Sequence, residues 1–208
     1  MAFETATKWL TRCKDSTRAQ YFLSLDNDDD FLSHYKDLFA GIKEQVTILQ
    51  NNNLSAIQAI NHAAKETIGR ILVVVSDDFD CPLHWDEQLI VSLKDKKDFV
   101  VKTKDGLQPF IITLPIMDRT FYNRFGYIYN PVYKHMYCDT EMSCVGHMLG
   151  RTIYLDILFP HMHYSTGHMR RDAINIKNDM TYGSGGIIFN ERKKINFGIV
   201  NPLNKCPM

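Results

Sequence analysis

Apolar residues at Phe3, Ala6, Leu10 and Cys13 recur at helical spacing, so the chain opens in an amphipathic helix. Tyr21-Phe22-Leu23-Ser24-Leu25 is a β-prone run that stops at the acidic loop Asp26-Asn27-Asp28-Asp29-Asp30. Val46-Thr47-Ile48-Leu49 repeats the design and ends at Asn51-Asn52-Asn53. Ser55 and Gln58 then form a capping-box pair ahead of Leu54, Ile57, Ile60 and Ala64, which predicts a helix stopped by Gly69. Ile71-Leu72-Val73-Val74-Val75 is apolar without alternation, as a strand covered on both faces reads, and it runs into Ser76-Asp77-Asp78-Phe79-Asp80.

Helix and strand alternating in this order predict an α/β fold: a Rossmann-like, mostly parallel sheet with helices on both faces. Ligands of such sheets sit beyond the carboxyl ends of the strands, and here the first three strands all end in polar, mostly acidic residues. Further on, a helix is expected over residues 86–93. Strands over 99–102 and 110–114 flank a turn at Asp105-Gly106, with helices over 120–125 and 140–149 beyond them. A strand over 152–159 ends at Pro160-His161-Met162-His163, and a last helix covers about 179–193.

The length of 208 residues suits one domain, and no repeat or Pro-, Gly- or Ser-rich linker divides it. With 24 Lys and Arg against 24 Asp and Glu, there is no uniform basic field for nucleic acid, and no apolar run approaches a membrane span. The five cysteines match no zinc or redox spacing and read as reduced thiols. The residues after Met1 have no secretory-signal pattern, so a cytoplasmic location is the expectation.

Carboxylates gathered at one strand end attract a hard divalent cation, which makes Asp77, Asp78 and Asp80 candidates for Mg²⁺ or Mn²⁺; their bland alternative is ordinary loop and capping acids. His161 and His163 would share a strand face, with Asp78 as the partner that would lift them above a chance pair. Asp139 and Glu141 open a predicted helix, where acids commonly cap the end or complement the dipole; either could instead be a general base. A carboxylate of residues 26–30 could accept hydrogen bonds from a nucleobase or ribose.

In sequence, residues 21–29, 50–53, 59–64, 71–80, Trp85-Asp86, Gly126-Tyr127, Asp139-Thr140-Glu141 and His161-Met162-His163 resemble the family-two glycosyltransferases of the A-type fold. The resemblance implies a transferase domain over 1–165, with a donor half of about 1–95 and an acceptor half of about 96–165, and a C-terminal extension over 166–208 packing on it. It implies a nucleotide-diphospho-sugar donor, a glycan or other hydroxyl acceptor, and Mn²⁺ or Mg²⁺ held by Asp78, with Asp80, His161 and His163 as further ligands. Asp26, Asp28, Asn51, Asn61 and Asp77 would bind the donor, and Asp139 would be the base of an inverting reaction, with Glu141 as its competitor. Two departures stand out. The family's first strand, which ends in a Pro-x-x-x-Arg-like loop, has no counterpart, so the chain looks truncated at its N-terminus. Ala59-Ile60-Asn61 also lacks the Arg that many members carry there. A second expectation is therefore a non-catalytic nucleotide- or glycan-binding module, and a third a metal-dependent phosphoester hydrolase on the same acids and histidines.

Overall fold

The computed structural model describes residues 2–42, 45–168 and 170–208. The opening amphipathic pattern folds as α1 (Ala2–Thr11) and leads to β1 (Tyr21–Asp26), α2 (Leu32–Phe39) and β2 (Val46–Asn51). β1 and β2 pair in parallel from Tyr21 opposite Val46 to Asp26 opposite Asn51. A helix joins them, because parallel neighbours need a crossover. Ala6 and Leu10 of α1, Phe39 of α2 and Val46 of β2 form one apolar cluster beside this pair.

α3 (Ala56–Glu66) begins where the Ser55 hydroxyl accepts the Gln58 N–H at 3.3 Å, while the Gln58 amide oxygen takes the Leu54 N–H at 2.8 Å. Gly69 does not stop this helix. Thr67 ends it with an extended backbone, its hydroxyl donating to the Ala64 carbonyl at 2.8 Å.

β3 (Ile71–Val73) belongs to a second sheet with β4 (Val100–Lys104), β5 (Ile116–Asp118) and β6 (Thr152–Leu158), in the order β3-β5-β4-β6. α4 (Trp85–Ser92) lies between β3 and β4 in the chain, and α5 (Arg119–Phe125) follows β5 directly. β4 and β6 are parallel, whereas β5 runs antiparallel to β3 and β4. The α/β architecture is thus observed, with its strands in one parallel pair and one mixed sheet.

The strand expected over 110–114 is displaced to 116–118. Ile112 and Leu114 are buried, but the Ile112 N–H donates to the Ser143 hydroxyl at 2.8 Å, so that run packs as an extended loop and the strand starts only after Pro115. At the turn below, Gly106 has φ +83 and the Asp105 carboxylate accepts the Leu107 and Gln108 N–H groups, each at 2.8 Å.

α6 (Cys138–Met148) crosses the second sheet at Gly146, where a Cβ would lie 2.5 Å from Val100 Cγ1. Any side chain there would lift the helix off β4 and β6. α7 (Ala173–Asp179) and α8 (Tyr182–Lys194) follow, and Phe189 of α8 joins the main core with Phe121, Tyr133, Met142 and Phe197. Among the described residues no helix is long and apolar enough to cross a membrane.

Candidate functional site at the strand ends

Beyond β3 the chain passes Asp77 and Asp78 and meets the segment after β6 through a bridge between Phe79 and His161. That bridge places the His161 Nε2 2.9 Å from an Asp78 carboxylate oxygen, the partnership the sequence suggested. The other Asp78 oxygen accepts the Ser76 hydroxyl at 2.5 Å, and the Phe79 ring stacks on the imidazole at 4.2 Å. Burial alone would raise the Asp78 carboxyl; the hydrogen bonds from His161 and Ser76 outweigh it, and the group is held below its ordinary value. The Nδ1 of His161 is shielded from solvent and has no hydrogen-bond partner among the described residues.

The neighbouring candidates fare differently. Asp77 is raised by loss of hydration and, next, by the charge of Asp78. Asp80 is turned toward α1, paired with Arg12 at 2.7 Å and Lys8 at 3.4 Å, so it anchors that helix instead of joining Asp78. His163 lies past the strand, not on it: its ring stands edge-on to His161 at 5.1 Å, and its Nδ1 is 2.7 Å from the Ser165 hydroxyl.

Asp139 lies in the first turn of α6, half-buried, with one oxygen accepting the Thr140 N–H at 2.7 Å. Burial pushes its carboxyl up. The helix is entered through Tyr137 at φ +72, so Asp139 is not its N-cap. Glu141 is committed elsewhere. It is 3% exposed and receives the Arg192 guanidinium through both oxygens at 2.6 and 2.8 Å, the Tyr133 hydroxyl at 2.6 Å and the Asn130 amide at 3.1 Å. A carboxylate so fully paired has no lone pair free to take a proton from an acceptor, which corrects its place as a competing base.

His135 escaped the sequence reading because it falls in the aromatic stretch 133–138. Its Nδ1 is buried without a partner among the described residues. Burial lowers the imidazole, while the charges of Asp139, Asp179 and Asp78 oppose the shift. Its place four residues before Asp139 was the available signal.

At the ends of β1 and β2, Asp26 accepts both the Asn53 N–H at 3.2 Å and the Asn53 side-chain amide at 2.8 Å. Asn51 continues the ladder opposite it, and Asp28 is exposed. Asn51, His62, Lys65 and Tyr127 line an open polar cleft of about 380 Å³. Asn61 reaches the same cleft and is 8% exposed: its side-chain NH2 donates to the Tyr129 carbonyl at 2.7 Å and its oxygen accepts the Ile128 and Tyr129 N–H groups at 2.9 and 3.1 Å. It staples α3 to the loop after α5.

Among the described residues no three His, Cys, Asp or Glu side chains converge to hold a metal ion. Two donors do meet, the Asp78 carboxylate and the His161 imidazole, and an oxygen and a nitrogen together suit Mn²⁺ better than Mg²⁺, which prefers oxygen.

The α/β fold, with acids and histidines beyond its strand ends, has a counterpart among solved structures. The chain is similar to the mannosyltransferase PcManGT from Pyrobaculum calidifontis, solved in complex with GDP-Man and Mn²⁺, with a TM-score of 0.61 and 12% sequence identity. The match covers 76% of this chain and 51% of that one, so the chain spans about half the length of that enzyme. No family model matches the sequence, and no curated protein matches it.

Proposed function

We propose that the protein is a metal-dependent glycosyltransferase that moves one sugar from a nucleotide-diphosphate donor to a hydroxyl acceptor with inversion. The observation that carries this reading is the Asp78–His161 contact, with its buried, unpartnered Nδ1, at the strand ends of a transferase fold. Asp78 and His161 would hold the cation and donor phosphates would complete its shell, as is usual where a site supplies only one or two protein ligands. When bound, the cation supplies neutralisation of the charge that builds on the leaving diphosphate. Asp26, Asp28, Asn51 and Asp77 bind the donor from the rim, and the acceptor is a glycan or another hydroxyl compound. Asp139 takes the acceptor's hydroxyl proton; that oxygen bonds to the anomeric carbon as the bond from this carbon to the diphosphate oxygen breaks. The raised carboxyl of Asp139 suits this, since a base works best with a pKa nearer the operating pH. Residues 1–165 form the transferase unit, and the extension 166–208 braces it through Arg192.

The test is calorimetric titration of nucleoside diphosphates with and without Mn²⁺ into the protein and into Asp78→Ala. The variant is expected to keep its circular dichroism spectrum and lose metal-dependent affinity; unchanged affinity removes the metal assignment. A second reading, a nucleotide- or glycan-binding module without turnover, is favoured by the absence of a third converging ligand among the described residues. Metal-dependent binding with no labelled sugar transferred to any acceptor would select it.

A further inference from the structure

The polar cleft of about 380 Å³ beyond β2 is built from two stretches of chain. Gln58, Asn61, His62 and Lys65 recur at i, i+3, i+4 and i+7, so a single face of α3 lines it, continued by the asparagines that end β2. Gly126, Tyr127 and Pro131, from the end of α5 onward, supply the rest.

Its polar atoms are only partly engaged within the protein. The Asn52 oxygen accepts the Asn27 amide at 2.9 Å and the Gln58 oxygen accepts the Leu54 N–H at 2.8 Å, which leaves the NH2 group of each without a partner among the described residues. Asn53 is the reverse, its NH2 donating to Asp26 at 2.8 Å and its oxygen left over. The Tyr127 hydroxyl accepts the Asn130 amide at 3.3 Å and keeps its own proton to donate. Lys65 has no ion pair among the described residues, and among them no Asp or Glu lines the cleft.

Such a lining discriminates between ligand chemistries. A phosphate group is ordinarily met by several cations or by a row of backbone N–H groups, and here a single ammonium faces the space. A nucleotide would bring its phosphates to that same lysine. Side-chain amides and a phenol, which donate and accept, match ligand hydroxyl groups, which do likewise. One ammonium matches one carboxylate. Tyr127, half-buried, adds a ring with an apolar body for the C–H face of a pyranose.

We infer that the cleft binds a saccharide carrying a single carboxylate, a hexuronate residue, with Lys65 on the carboxylate and Asn52, Gln58 and Tyr127 on its hydroxyls. The volume suits a short saccharide, since organic-ligand sites span roughly 300–1,000 Å³. A hydrogen-bonded chain ties the cleft to α6: the Asn130 NH2 that donates to Tyr127 also donates to Glu141 at 3.1 Å, in the turn that carries Asp139. That link makes the saccharide the acceptor, an assignment that rests on the transferase reading, whereas the binding itself does not.

The test is titration of the protein, without nucleotide or metal, with disaccharides containing glucuronate, galacturonate, mannuronate or guluronate. The same disaccharides after carboxyl reduction are the controls, and amide resonances are followed by NMR. At least one uronate is expected to shift the amides of residues 58–65 and 126–131 and to bind about tenfold or more tighter than its reduced form, the scale of one charge-assisted hydrogen bond. Lys65→Gln should abolish that preference and Lys177→Gln on α7 should keep it; both lysines are exposed on helices, so neither change disturbs the fold. Binding of none of the uronates, or equal binding of their reduced forms, overturns the proposal. A preference that survives in Lys65→Gln, or shifts confined to other residues, overturns the site. Displacement of the saccharide by a nucleoside diphosphate would make the cleft part of the donor site and overturn it as well. Charge-selective binding without transfer of sugar to the disaccharide upholds the cleft and counts against the transferase reading alone.

Discussion

Asp139 and Glu141 are two residues apart on α6, so their side chains leave the helix about 200° apart, and their surroundings suit them to opposite uses. Because the folded Asp139 carboxyl is raised above its ordinary 3.8, the stability it contributes is complete below that value and lost as pH rises through the folded pKa. At neutral pH its charge therefore works against the fold. Asp139→Asn keeps an oxygen for the Thr140 N–H and should raise stability by about 1 kcal/mol, while lowering turnover ~10²–10⁴-fold. Melting curves and a sugar-transfer assay on the same preparation check both signs. Glu141→Gln should do the reverse: removing the charge that faces Arg192 costs about 2–3 kcal/mol, read by denaturant unfolding, and turnover falls only as far as folding does. His135, held below its ordinary 6.5, makes the fold lose stability as pH drops through that value, because the unfolded chain takes the proton first. The positions of Asp78 and His161 could be anticipated because both follow strands. The commitment of Glu141, Asn61 and Asp80 could not, since Arg192, Tyr129 and Arg12 each lie at least 50 residues away in the chain.

α8 acts as a brace. Gly185 lets it approach the loop before α6 so closely that a Cβ would lie 2.5 Å from the Met136 carbonyl oxygen, and one turn or two further on Phe189 and Arg192 reach the core and Glu141. Gly185→Ala must push α8 away from the loop that carries His135. A loss of about 1–3 kcal/mol is expected from denaturant unfolding, with a fall in turnover larger than that of a variant equally destabilised elsewhere. The helix was foreseen from residues 179–193, yet its role was not, because a lone glycine in a helical run has no legible partner until the opposing loop is in place. The strands divide in the same way. β1, β2 and β3 declared themselves by β-branched and aromatic runs ending in polar loops. β5 was misplaced because the run 110–114 has strand composition while its buried amide is taken by Ser143.

Among the described residues the buried apolar side chains form three clusters, and the one beside β1 and β2 is the smallest and includes no residue of β4 or β6. Since no strand among the described residues joins the two sheets, the unit of α2, β1 and β2 should open on its own, while Trp9 keeps α1 seated against α4. Native-state hydrogen exchange is expected to show β1 and β2 amides exchanging through a lower-energy opening than those of β4 and β5, whereas one common opening free energy would indicate a single cooperative body. Composition and element order were enough for the layered α/β fold, but the break between sheets was not legible, because edge pairing depends on which strands come to lie side by side. The aromatic contacts of α1 add an optical consequence. The chain has two tryptophans, Trp9 and Trp85, and their rings meet edge-on at 5.1 Å where α1 lies against α4, with the Trp85 indole N–H donating to the Trp9 carbonyl at 2.8 Å. All intrinsic tryptophan emission therefore originates at one joint, so a fluorescence trace follows the seating of α1 while far-ultraviolet dichroism follows every helix, and the two need not fade at the same temperature.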